Sequence, residues 1–87
     1  MRIFILDGTK MYSKSAAFDH IKDICVFPEY FGANLDALND CLSEVDKNTV
    51  IILMNAEALR MSLEDYGERM IEIFKENSEG SYTFIER

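Results

Sequence analysis

Short apolar runs alternating with helical stripes predict an α/β domain: a three-stranded parallel sheet flanked by about four helices in a three-layer arrangement. Two observations carry this expectation. Ile3-Phe4-Ile5-Leu6 and Val50-Ile51-Ile52-Leu53-Met54 are continuous runs rich in β-branched residues, the pattern of parallel strands covered on both faces. Between and after them, apolar residues recur at about 100° per residue, as they do along one side of a helix. With 87 residues the chain has room for one domain, residues 1–87, built on a single modest core.

Each element has its own local signal. Asp7-Gly8 marks the turn out of the first strand, and Ser13 or Ser15 can cap a helix whose inner stripe is Ala17, Phe18, Ile21, Ile24 and Cys25. That helix ends before Pro28, because a residue preceding proline disfavours helical backbone. Asn34 follows Gly32 as the N-cap of a second helix, with Leu35, Leu38, Cys41, Leu42 and Val45 on its inner side. After the second strand, Asn55 caps a short helix through Arg60, and Ser62-Leu63-Glu64-Asp65 has capping-box spacing. Tyr66, Met70, Ile73, Phe74 and Asn77 then form the stripe of the last helix, whose start Gly67 obscures. Gly80 turns the chain into a closing strand, Tyr82-Thr83-Phe84-Ile85. The resulting order β-α-α-β-α-α-β requires right-handed crossovers between parallel strands.

Composition narrows the function. The chain is 48% hydrophobic and carries ten aromatics (Tyr 4, Phe 6), too apolar for disorder, and no run approaches the roughly 20 apolar residues that span a bilayer. The opening MRIFILDGTK reads as a strand rather than a signal peptide, since Asp-Gly stands where a small-residue cleavage site belongs. Cys25 and Cys41 have neither C-x-x-C spacing nor a histidine cluster beside them; they read as reduced, buried thiols of a cytoplasmic protein, with a disulfide between them left open. Sixteen acidic against nine basic residues give a formal charge of −7, which repels phosphate backbones and anionic lipid and attracts basic proteins. Direct binding to nucleic acid or to a membrane is therefore not expected.

No dinucleotide fingerprint, P-loop, nucleophile elbow or zinc-protease motif is present, and His20 is the single histidine. It reads as a surface or core-edge residue rather than a catalytic base, and Cys41, on the apolar stripe, as a core residue rather than a nucleophile. No catalytic residue, cofactor or metal site is assigned. The unexplained feature is Asp36 with Asp40. These carboxylates stand one turn apart on the outer side of the second helix, where like charges cost a few tenths of a kcal/mol. Asp36 gains from the helix dipole; Asp40 lies beyond its reach. Spacing alone favours a solvated helix face, with a divalent-cation site or general acid/base chemistry as the other options.

The run PEYFGANLDALNDCL, residues 28–42, resembles the segment that identifies the barstar family of ribonuclease inhibitors, approximately P-E-Y-[YF]-G-x-N-L-D-A-L-x-D-x-L. Pro28, Glu29, Tyr30, Phe31, Gly32, Asn34, Leu35, Asp36, Ala37, Leu38, Asp40 and Leu42 match it. The length, the opening strand ending in Asp-Gly and the closing I-F-K-E helix and strand are similar to the family too. The resemblance implies a monomeric cytoplasmic inhibitor that occupies the active site of a small basic ribonuclease one-to-one. Its implied contact residues are Tyr30, Gly32, Asn34, Leu35, Asp36, Asn39, Asp40, Ser43 and Glu76, with Asp40 as the principal phosphate mimic and Asp36 in support. Gly32 and Asn34 would shape the loop, Gly32 for a positive φ alone if not for the partner, and Phe31 would cover the core. Two positions depart from the pattern: Asn39 stands where the family often carries a tryptophan that packs on the enzyme, and Lys47-Asn48 where members can carry an aromatic-proline pair. The alternative functions are a binding or immunity protein for a different basic partner, and a metal-dependent enzyme using the aspartates.

Overall fold

Three parallel strands lie side by side in the order β1 (Arg2–Asp7), β2 (Thr49–Met54), β3 (Thr83–Glu86), with Phe4 beside Ile51 and Ile51 beside Phe84. The computed structural model describes residues 1–28 and 31–87. The connections supply a 3₁₀ turn (Gly8–Lys10) and four helices, α1 (Lys14–Cys25), α2 (Leu35–Leu42), α3 (Ala56–Leu63) and α4 (Asp65–Ser78). The α/β class, the three parallel strands and the four helices are as the sequence leads one to expect.

The layering differs. Leu6, Ile51 and Leu53 are buried with the inner stripes of the helices in one core. Ile3 and Ile5, on the opposite face of β1, remain 57% and 54% exposed. The helices thus cover one face of the sheet, giving two layers rather than three, and the smallest principal extent of the molecule is 19 Å. The short strands explain the misreading: in a run of four or five apolar residues, continuous hydrophobicity does not reveal whether a second layer is present.

Helix entry and exit follow local chemistry. Ser13 Oγ accepts from the Ala16 amide at 3.1 Å and Asn34 Oδ1 from the Ala37 amide at 2.8 Å, so each satisfies a free donor of its helix. The α1 C-cap is Val26, with left-handed φ 55° and ψ 47°, a conformation that β-branched residues rarely adopt. Asn55 precedes α3 but does not cap it; its Nδ2 donates instead to Asp7 Oδ1 at 3.0 Å. No capping box forms at Ser62, which lies inside α3. The junction is Glu64, at φ 54°, and α4 starts directly after it. Gly67 is buried in this helix pair because a Cβ there would stand 2.9 Å from the Leu59 carbonyl oxygen.

Polar ties lock the far end. Tyr82 Oη donates to the Phe74 carbonyl at 2.6 Å, Phe74 stacks on Phe84 at 5.3 Å, and Ser81 Oγ donates to the Val45 carbonyl at 2.7 Å. Arg60 bridges Glu68 and Glu86 at 2.6 and 2.7 Å, joining α3, α4 and β3. Among the described residues, no helix is long and apolar enough to cross a membrane.

Candidate functional site

The site is built on α2. Leu38 and Leu42 are buried and Leu35 is half-buried, which fixes the helix against the core and turns Asp36 and Asp40 outward. Both aspartates are exposed, and among the described residues neither has an ion-pair partner. Among the described residues no cation offsets their repulsion, and only Asp36, in the first turn, gains from the helix dipole.

The other expected contact residues divide by what holds them. Asn34 is occupied as the N-cap, Leu35 packs on the core, and Ser43 Oγ donates to the Asp40 carbonyl at 2.6 Å, closing the end of the helix. Asn39, between the two acids, is exposed, and its Oδ1 accepts from Asn77 Nδ2 at 2.8 Å. That bond draws the end of α4 against α2. Glu76 adjoins it and is exposed, but it pairs with Arg69 at 3.3 Å, so its charge is partly answered at home. Gly32 does not have positive φ; its role is spatial, because a Cβ would lie 3.2 Å from the capping Asn34 Nδ2. Phe31 covers the core edge as expected, packing on Phe18 at 6.0 Å and Phe27 at 5.2 Å. Tyr30, with Glu29, lies outside the described residues.

Glu44 is the residue that sequence reasoning passed over. It is exposed, and with Asp40 it acts on the Cys41 thiol. The signal was available: Asp36, Asp40 and Glu44 repeat the same four-residue step. Beside them opens a groove of about 400 Å³ whose walls include Phe4, Phe27, Val45 and Cys41, with Asp40 and Glu44 among its lining residues. Arg2 also lines it, with its guanidinium 5.3 Å from the Phe4 ring centroid.

The chemistry of the groove does not favour a nucleophile. Burial pushes the Cys25 thiol up to about 12, and burial followed by the charges of Glu44 and Asp40 raises Cys41. Both are free thiols, protonated at neutral pH. Cys41 is half-buried at the groove wall, not a core residue as its place on the stripe suggests. His20 sits elsewhere, where its Nε2 accepts from the Asp7 amide at 2.9 Å. Among the described residues no group of three or more His, Cys, Asp or Glu is placed to hold a metal ion. What the geometry offers is an exposed acidic face of short side chains on a helix anchored through Leu38 and Leu42.

The family model described as Barstar (barnase inhibitor) matches residues 1–83. The chain belongs to the barstar family. The "Putative ribonuclease inhibitor YrdF" of Bacillus subtilis (strain 168) is 38% identical over 80 residues, covering 91% of this chain and 88% of that relative. The barstar match takes in all four helices and reaches the first residue of β3, so it includes α2 with its acids and the α4 residues that meet them.

Proposed function

We propose that this barstar-family protein inhibits a small basic ribonuclease by occupying its active site, with carboxylates standing where substrate phosphates bind. The observation that carries the reading is the outward pair Asp36 and Asp40, exposed and without a cation among the described residues. A nuclease cleft is lined by cations that stabilise phosphate, so an acidic face is attracted to it at long range and is paired on contact. Asp40 is the central mimic and Asp36 supports it. Tyr30, Gly32, Asn34, Leu35, Asn39, Ser43 and Glu76 frame the contact, and Glu44 extends the acidic row. The complex is one-to-one, forms in the cytoplasm and involves no nucleic acid directly; the protein itself is not an enzyme. Raised thiol pKa values and a histidine engaged by the backbone support that last point.

A second reading keeps the acidic face and changes the basic partner. It is favoured by Asn39, which replaces an aromatic anchor and is tied to Asn77. One experiment separates them: titrating the protein into a small basic guanyl-specific ribonuclease during RNA cleavage, with Asp40→Ala in parallel. Stoichiometric inhibition that the substitution abolishes supports the first reading. A folded protein that leaves the enzyme active at micromolar concentration, yet retains a different basic protein through Asp40, supports the second.

A further inference from the structure

The uncovered face of the sheet is ordered by its register into three rows. Ile3, Val50 and Thr83 form one, Ile5, Ile52 and Ile85 the next. Asp7 and Met54 begin the third, and Arg87 completes it, because its amide continues the β3 ladder by donating to the Leu53 carbonyl at 2.8 Å. Six of these nine side chains are aliphatic or thioether, and the two charges stand at opposite ends of one row. Ile3, Ile5 and Met54 are exposed large hydrophobic residues. The largest apolar patch on a protein surface is often a functional contact, and this one belongs to a chain of net charge −7.

We propose that this face associates with a second copy of the chain, sheet against sheet. The charges select the arrangement. A two-fold axis along the strands lays β1 over the partner's β3 with all strands pointing the same way, so Asp7 meets the partner's Arg87, Ile5 meets the partner's Ile85, and each contact occurs twice. Aligned packing at about 10 Å is the usual geometry for two such sheets. An axis across the strands would set Asp7 over the partner's Ile3 and Arg87 over the partner's Thr83, and leave neither charge paired. Both charged groups have spare capacity. Among the described residues, Asp7 Oδ1 accepts from Thr9 and Asn55, nothing donates to its Oδ2, and Arg87 pairs with no carboxylate.

Area sets the strength. Three strands about 4.8 Å apart, six residues long at about 3.3 Å each, cover on the order of 300 Å² per copy. A standard interface buries roughly 800 Å² per partner, so this contact is a weak one, seen only towards the upper end of a range from about 10 µM to about 1 mM. The acidic α2 face lies on the helical side of the sheet, and a dimer leaves it open in both copies.

Sedimentation equilibrium of the full chain from about 10 µM to about 1 mM, near 0.15 M salt to screen the net charge, tests this. The expected average mass rises towards twice that of the monomer. Ile5→Lys, at an already exposed position, stays monomeric throughout, and Arg87→Glu weakens association about tenfold by placing acid over acid. In a Cys41→Ser background, a mixture of Ile5→Cys and Ile85→Cys chains cross-links more than either alone. A wild-type mass that stays monomeric at the highest concentration overturns the proposal, as does Ile5→Lys dimerising like wild type. Equal cross-linking by the mixture and the single variants overturns the orientation.

Discussion

Asn77 Nδ2 donates to Asn39 Oδ1 across the α2–α4 contact at 2.8 Å, and also to the Ile73 carbonyl at 3.0 Å, so the side chain between the two acids is held by the last helix. Asn39 is thereby held as a strut in the free protein. An exposed neutral hydrogen bond contributes at the low end of roughly 0.5–1.5 kcal/mol. Asn39→Ala should lower stability by about 0.5 kcal/mol in urea denaturation. Asn39→Trp loses the same bond but offers a large anchor, and should tighten inhibition of a basic ribonuclease while costing a similar stability. Tighter inhibition by the alanine variant would show that the strut opposes binding.

Asp40→Ala separates binding from folding. Among the described residues Asp40 has no ion-pair partner and stands one four-residue step from both Asp36 and Glu44, so its loss should leave the stability of the free protein unchanged or raise it by a few tenths of a kcal/mol. In complex with a nuclease the same change should cost about 2–5 kcal/mol, the range for truncating one partner of a buried interfacial charge pair, this family's own complexes among the cases it was drawn from. Calorimetric titration beside a melting curve reads both quantities. A fall in affinity accompanied by an equal fall in stability would assign Asp40 a structural role.

Much of this was legible in the sequence, and the failures have physical causes. Caps at Ser13 and Asn34 were visible because a side-chain oxygen three residues before a free amide is a local relationship. The inner stripes of α1 and α2 were visible because period alone sets them. Asn55 misled because its side chain found a partner 48 residues away, in Asp7, that competes with capping. Ser62 misled for a similar reason: α3 continues past the expected box until Glu64 breaks it. The open sheet face and the Asn39–Asn77 bond are tertiary facts; no window of sequence contains both partners.

Gly67 tests whether close helix approach outweighs helix propensity. In an exposed helix Gly→Ala gains up to about 1 kcal/mol. Here the new Cβ would stand 2.9 Å from the Leu59 carbonyl oxygen and 3.3 Å from Leu63 Cβ, and backbone oxygen does not move aside cheaply. Overpacking of this kind costs about 1–3 kcal/mol. Gly67→Ala should therefore destabilise by about 1 kcal/mol net, with α3 shifting outward. A stabilised variant in thermal denaturation would mean that the α3–α4 junction at Glu64 yields freely.

Val26 should be the converse case. Its side chain is 76% exposed, so little packing is lost on replacement, yet it holds a β-branched residue at left-handed φ and ψ. That conformation costs an L-residue roughly 1–2 kcal/mol and suits asparagine far better. Val26→Asn should stabilise by about 1 kcal/mol and raise the melting temperature by about 4–8 °C for a domain of this size. No change would mean that the cap rearranges without cost once the side chain is altered.

The pH dependence divides into two windows. Burial, then the charge of Lys10, lowers the His20 pKa from its ordinary 6.5, while Asp7 and Asp23 act in the opposite sense. The neutral ring is the form whose Nε2 accepts from the Asp7 amide. Below 6.5 the unfolded chain takes up this proton before the folded one does, so stability present above that pH is lost as pH falls through the lowered folded value. Asp7 titrates further down, held to about 2 by hydrogen bonds from Asn55 and then Thr9, and its contribution, present above 3.8, is lost as pH falls towards that value. Urea midpoints measured between about pH 7.5 and about pH 5 should fall for the wild type. They should fall less for His20→Gln, whose amide oxygen can accept from Asp7 without titrating. Parallel curves for the two proteins would remove His20 as the source of the decline and leave the changing net charge to explain it.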